Sequence, residues 1–162
     1  MRHTISILVD NEFGVLSKVS GLFSGRGFNI ESLCVAETLD PTVSRMTIVT
    51  TGDDKIIEQI TKQLNKLINI IKVTDLTAEE HIERELAMIK VNANAEDRAE
   101  ILSIIDIFRG KVVDVSPKTY TIEMTGDAEK VNAMIELLRP FGIKEIVRTG
   151  KIAMARSLKT GK

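Results

Sequence analysis

Residues 4–9, Thr4-Ile5-Ser6-Ile7-Leu8-Val9, set apolar against polar positions at a period of two, the signature of a strand. A short polar turn, Asp10-Asn11, follows, and from residue 14 the period lengthens. Val15, Leu16, Val19, Leu22 and Phe23 fall on one stripe at 3.6-residue spacing, which predicts a helix over 14–24. Gly25-Arg26-Gly27 stops it, as glycine near a helix C-terminus does. Residues 29–38 read as a long strand, with Leu33 and Val35 on one face and Cys34 and Ala36 on the other. Leu39-Asp40-Pro41-Thr42 is a turn whose proline presets φ. Residues 43–51 return with Met46 and Ile48 alternating against polar neighbours, completing a hairpin. Gly52-Asp53-Asp54 caps a second helix in which Ile57, Ile60, Leu64 and Leu67 step by three, four and three. A strand over 68–76 closes the order β-α-β-β-α-β, the ferredoxin-like unit.

The run Thr77-Ala78-Glu79-Glu80-His81-Ile82-Glu83 is polar and acidic, and a linker is expected over 78–84. The same order then reappears. A strand is predicted over 86–92, and a helix over 95–108 with Ile101, Leu102, Ile104, Ile105 and Phe108 inward. A hairpin over 111–115 and 118–125 turns at Ser116-Pro117. A helix capped by Asp127 carries Val131, Met134, Ile135 and Leu138, and Arg139-Pro140-Phe141-Gly142 ends it before a strand over 143–148. The reading is therefore α+β: two tandem ferredoxin-like βαββαβ units, over 1–77 and 85–149, with a tail over 150–162. The repeat lies in the pattern, with little identity between the halves. Each unit should pack two helices on one face of a four-stranded sheet and leave the other face open. Units of about 75 residues are marginal alone, so pairing of sheet edges or helices between copies, and hence a homodimer, is expected.

Composition narrows the function classes. Hydrophobic residues make up 43% and charged residues 28%, which is globular rather than disordered. A net charge of −1 gives no general attraction to nucleic acid or an anionic membrane. Aromatics are 4%, with no tryptophan, too few for an RNA-stacking sheet. Cys34 is the lone cysteine, which excludes an internal disulfide framework and a cysteine-based zinc cage, and its apolar strand suits a small buried hydrophobe. There is no 18-residue apolar run, and Met1-Arg2-His3 leads straight into strand pattern, so a soluble cytoplasmic protein is expected. From Arg148 to Lys162 there are five basic and no acidic residues, expected as a solvated, frayed tail.

Catalytic chemistry is poorly supplied. His3 and His81 lie near the terminus and in the expected linker, with no nucleophile elbow nearby. Walker and G-x-G-x-x-G loops are absent, and no His/Asp/Glu set has metal-ligand spacing. Asp53-Asp54 and Glu79-Glu80 suit capping and solubility. An acylphosphatase-like hydrolase shares the topology, but it needs an arginine in the first strand-to-helix loop, where this chain has Glu12.

That loop is where the two halves differ. The first reads Asn11-Glu12-Phe13-Gly14-Val15-Leu16; the second reads Asn92-Ala93-Asn94-Ala95-Glu96-Asp97, without glycine. Gly14 leaves the backbone open to close approach. The helix-tip N–H groups of Gly14, Val15 and Leu16 can hold a carboxylate, worth about 0.3–2 kcal/mol. The Asn11 amide could accept from an ammonium group. From spacing alone an Asx turn with a merely fitting glycine accounts for the loop equally well.

Asn11-Glu12-Phe13-Gly14-Val15-Leu16, followed by Arg26-Gly27-Phe28-Asn29-Ile30-Glu31-Ser32-Leu33 and Ser44-Arg45-Met46-Thr47-Ile48, resembles the N-terminal ACT domain of acetolactate synthase small subunits. Phe108-Arg109-Gly110-Lys111-Val112-Val113-Asp114-Val115 resembles their second half, and the match covers nearly the whole chain. The resemblance implies a non-catalytic regulatory subunit with no cofactor of its own. Its partner would be a large subunit holding thiamine diphosphate, magnesium and FAD, which it activates and makes sensitive to valine, or in some members leucine or isoleucine. It further implies an effector site between two ACT domains, with Asn11, Gly14, Val15 and Leu16 from one chain and Asn29 and Ile30 from the other. A free-standing ACT-type sensor acting on another enzyme or a transcription factor is the alternative.

Overall fold

A computed structural model describes residues 1–157 of the 162. The chain divides into two compact units, one formed by Met1–Ile82 with the segment from Lys151, the other by Glu83–Gly150.

The first unit runs β1 (Arg2–Asp10), α1 (Val15–Gly25), β2 (Ile30–Glu37), β3 (Val43–Thr51), α2 (Asp54–Asn65), β4 (Ile70–Asp75), then a single 3-10 turn, Leu76–Ala78. Its sheet has the order β2-β3-β1-β4 with every pairing antiparallel. Ile5 faces Ile48 and Ile7 faces Met46 across β1 and β3, so the period-2 apolar positions of both strands share a face. That face meets Val15, Val19 and Phe23 of α1 and Ile57, Ile60 and Leu64 of α2, all buried in one core. Each such side chain contributes about 1.5–3 kcal/mol on burial, which is what holds two short helices to the sheet. Phe28 leaves no room beside it: a Cβ added at Gly52 would lie 2.0 Å from its Cε1. Gly52→Ala is therefore expected to cost about 1–3 kcal/mol of stability, as overpacking does. A lowered urea midpoint would check this.

The second unit repeats the plan: β5 (His81–Asn92), α3 (Arg98–Ile107), β6 (Lys111–Val115), β7 (Thr119–Gly126), α4 (Ala128–Leu138), a 3-10 turn Arg139–Phe141, and β8 (Ile143–Arg148). The strand order is β6-β7-β5-β8, and a short β9 (Ile152–Ala155) also pairs with β5. Ala87, Ile89, Val91, Ile122 and Met124 pack against Ile101 and Ile105 of α3 and Val131, Met134 and Leu138 of α4.

Leu102, expected inward on α3, is exposed, and Cys34 is half-buried rather than buried. Three expectations about the chain's organisation also need correction. Residues 78–84 are not a free linker, because β5 begins at His81. The expected tail over 150–162 contains β9, and Arg156 N–H donates to Glu80 O at 2.8 Å; residues 158–162 lie outside the described part. The face of the first sheet turned away from the helices is not open at its centre, since Thr4, Ser6, Thr47 and Val49 are all buried. The Thr4 N–H donates to Thr77 Oγ at 2.9 Å, and Leu76, Glu79, Met154 and Ala155 share a groove with Ser6, Leu8 and Arg45.

Candidate effector site

β1 delivers the chain to a loop at residues 11–14 that is fixed from both sides. Asp10 N–H donates to Asn69 O at 2.8 Å and Asn11 N–H to Thr42 O at 2.8 Å. The Asn11 amide nitrogen donates to Pro41 O at 2.9 Å, which commits its donor side to the protein and leaves Oδ1 as the acceptor. Asn69 Nδ2 donates to Glu12 Oε2 at 3.1 Å. Gly14 then takes φ +80°, the left-handed conformation glycine adopts without penalty, and its carbonyl accepts from Lys18 N at 3.0 Å to open α1.

The tip of α1 is bare. No side chain caps it and its first turn holds no acid. By contrast, Asp53 caps α2 through Lys55 N and Asp127 caps α4 through Lys130 N. The counterpart helix α3 also lacks a side-chain cap, but Glu100 stands in its first turn and Asp97, not glycine, at its start. Nothing lies within 4 Å of where a Gly14 Cβ would stand. Unpaired N–H groups at a positive helix end, with open space before them, fit a carboxylate.

The matching loop of the second unit is filled from within. Arg98 Nε donates to Ala93 O at 3.2 Å and Nη2 to Pro117 O at 2.7 Å, with the guanidinium 6.0 Å from the Tyr120 ring centre. Ala93 is fully buried. Arg98→Ala should cost about 1–3 kcal/mol by leaving the part-buried Ala93 carbonyl without its donor, while water replaces the exposed bond to Pro117, a difference that chemical unfolding would register.

The structure brings Asn11, Gly14, Val15 and Leu16 together. The Val15 side chain belongs to the core, so only its N–H faces the tip, and half-exposed Leu16 supplies the apolar flank. Asn29 and Ile30 are elsewhere in the same chain. Ile30 is level with Thr50, which is level with His3, and Asn29 O accepts from Thr50 Oγ at 2.8 Å. His3 and Asp10 lie at opposite ends of β1, about 23 Å apart at 3.3 Å per residue. Pro41, Thr42 and Asn69, which hold the loop, carried no signal in the sequence because they act largely through backbone carbonyls.

His3 is structural in its surroundings. It is buried, with Nδ1 3.1 Å from Asp75 Oδ2 and Nε2 at an ion-pair distance of 3.1 Å from Asp54 Oδ1, without hydrogen-bond alignment. Burial pushes the Asp75 carboxyl up, but hydrogen bonds from Thr77 and His3 outweigh it and hold the group below its ordinary range. Among the described residues no cluster of three or more His, Cys, Asp and Glu could hold a metal, and no helix is long and apolar enough to cross a membrane.

Comparison with known proteins identifies the family. Residues 5–72 match the model for the AHAS small subunit-like ACT domain, so the first unit is an ACT domain. Residues 84–157 match the model for the small subunit of acetolactate synthase. The acetolactate synthase small subunit of Aquifex aeolicus is 58% identical over 158 residues, 97% of this chain and 82% of that one. That of Haemophilus influenzae is 52% identical over 160 residues, 98% of each. The crystal structure of the small subunit from Thermotoga maritima superposes with a TM-score of 0.88 at 48% identity, covering 98% of this chain and 99% of that one. The chain belongs to the family of acetolactate synthase small subunits, and this membership implies a catalytic large-subunit partner.

Proposed function

We propose that the chain is the non-catalytic regulatory subunit of a cytoplasmic acetolactate synthase, and that its ACT domain takes up valine, activating the large subunit when empty and inhibiting it when filled. The observation that carries this reading is the bare, glycine-opened, acid-free tip of α1, set against capped α2 and α4 and against α3, whose first turn holds Glu100 and whose loop is bound by Arg98. Val15 and Leu16 N–H groups receive the carboxylate, Asn11 Oδ1 receives the ammonium, and Leu16 meets the branched side chain. Thiamine diphosphate, magnesium and FAD belong to the large subunit, where the chemistry occurs.

Asn29 and Ile30 complete the site from a second copy. β2 is an edge of the sheet, and antiparallel pairing of two β2 strands about a two-fold axis sets the start of the partner's strand beside the end of this one. The end of β2, Glu37 opposite Ser44, lies at the same end of the sheet as the 11–14 loop. Valine then acts by favouring one quaternary arrangement over another, and a coupling of about 1–3 kcal/mol gives ordinary feedback control. Titrating the purified chain with valine, leucine and isoleucine, with and without large subunit, tests this. Saturable binding of a branched-chain amino acid with matching inhibition is expected. No binding in either condition would remove the effector role.

A further inference from the structure

The face of the first sheet turned away from α1 and α2 holds a groove of about 510 Å³ that the effector reading leaves without a task. Its volume falls within the range of small-molecule sites, about 300–1,000 Å³. Alternation along the strands puts Ser6 and Leu8 of β1, Arg45 of β3, and Lys72 and Thr74 of β4 on this face. Leu8 stands opposite Arg45 on one side and opposite Lys72 on the other. Two cations therefore flank one apolar residue, with two strand spacings, about 10 Å, between their backbones. Arg45 leans inward: its Nη1 donates to the Oγ of buried Ser6 at 2.8 Å, which sets the guanidinium over β1. A guanidinium has five N–H donors, and the bond to Ser6 uses one.

Among the described residues neither Arg45 nor Lys72 forms an ion pair. The second sheet treats its outward cations differently. Lys90 stands opposite Glu145, with Nζ 3.8 Å from Oε2, and Lys111 stands opposite Glu123. Glu79 lines the groove of the first sheet without pairing with either cation, and Leu76 and Met154 supply apolar wall. Two cations against one carboxylate leave the groove positive, and the flexible stem of Lys72 lets its ammonium meet an anion beside the Arg45 fork.

We propose that this groove binds a small organic oxyanion, a phosphate or a carboxylate carried on an apolar body, at a site separate from the tip of α1. Arg45 and Lys72 take the charge, the Thr74 hydroxyl lies in reach of it, and Leu8, Leu76 and Met154 meet the apolar part. Arg45 and Lys72 are both exposed, so binding weakens as salt screens them. Each also lies three residues beyond a loop anchor, Arg45 beyond Thr42 and Lys72 beyond Asn69, whose carbonyls accept from Asn11 and Asp10. An occupant thus sits on the two strands that hold the 11–14 loop, yet its binding does not depend on the valine reading.

The test titrates the full-length chain with phenyl phosphate and with phenylacetate by calorimetry at low salt. The two probes share an apolar ring, lack an ammonium group and differ in the oxyanion. Saturable binding of at least one is expected, and the tighter of the two assigns phosphate or carboxylate to the site. Lys72→Gln breaks no internal bond among the described residues, so it should lower affinity about tenfold, the loss of one charge-assisted bond, at an unchanged melting temperature. Glu79→Gln should tighten binding severalfold, because it removes the carboxylate that lines the groove and repels the ligand. Gly14→Asp, which alters only the tip of α1, should leave the affinity as it is. Loss of binding in Gly14→Asp would give the anion to that tip and overturn the groove. Binding that Lys72→Gln does not weaken or Glu79→Gln does not tighten overturns it too, as does the absence of saturable binding by either probe.

Discussion

Gly14→Asp is expected to abolish valine binding while the chain still folds, dimerises and activates the large subunit. The steric side of the argument is favourable, because a Cβ at Gly14 meets nothing within 4 Å. The backbone side is mildly unfavourable: φ is +80°, which costs an L-residue about 1 kcal/mol, and aspartate tolerates that region better than most. The electrostatic side decides the outcome. The new carboxylate sits at the bare end of α1, which has no acid in its first turn and no side-chain cap, and satisfies the N–H groups a ligand carboxylate would use. The protein would thereby cap its own helix and close its own receptor. Losing those bonds and adding like-charge repulsion should lower valine affinity at least about a hundredfold, roughly 3 kcal/mol. Gly14→Asn is the control, since it shares the backbone strain without the charge and should retain more of the binding. Calorimetry on the purified protein reads both, and undiminished valine heat in Gly14→Asp would remove the site from this loop.

Much of this architecture was legible in the chain. The inward residues of β1, α1, β3 and α2 followed their periods because local pattern and core burial agree there, and the caps Asp53 and Asp127 act as their positions foretold. The failures have a common physical cause. His81–Asn92 opens with charged residues that read as a solvated linker, yet Glu85 is buried because Arg148, 63 residues on, donates to it through Nε at 2.9 Å. A charge neutralised by so distant a partner leaves no local mark. β9 was hidden because only Ala153 of its four residues is buried and the surrounding basic residues dominate the composition. In the site, Asn11 and Gly14 could be chosen from the contrast between the halves. The ties to Pro41, Thr42 and Asn69 could not, because any residue supplies a carbonyl. For Val15 the helical stripe already places the side chain in the core, which leaves only its N–H to the site.

The separation of Asn29 from the helix tip yields the second large effect, a rescue between two defective chains. Within one chain the two halves of the proposed site are at opposite ends of β1, with Asn29 anchored through its carbonyl to Thr50 and Asn11 anchored to the 41–42 turn. A dimer of Gly14→Asp chains has two blocked tips, and a dimer of Asn29→Ala chains lacks the carboxamide at both sites, so neither should bind valine well. In a hybrid of one chain of each kind, both defects fall in the same site. The other site combines an intact tip from the Asn29→Ala chain with an intact Asn29 from the Gly14→Asp chain. Two-fold symmetry thus requires about one working site per hybrid dimer. Unfolding and refolding the two variants together, separating hybrids by distinct affinity tags and titrating with valine would read that stoichiometry directly. A site lying wholly within one chain would leave the hybrid with a defect in each of its two sites and no recovery. Near-native affinity at half the native stoichiometry therefore distinguishes a receptor built by two chains from one built by a single chain, independently of how the large subunit responds.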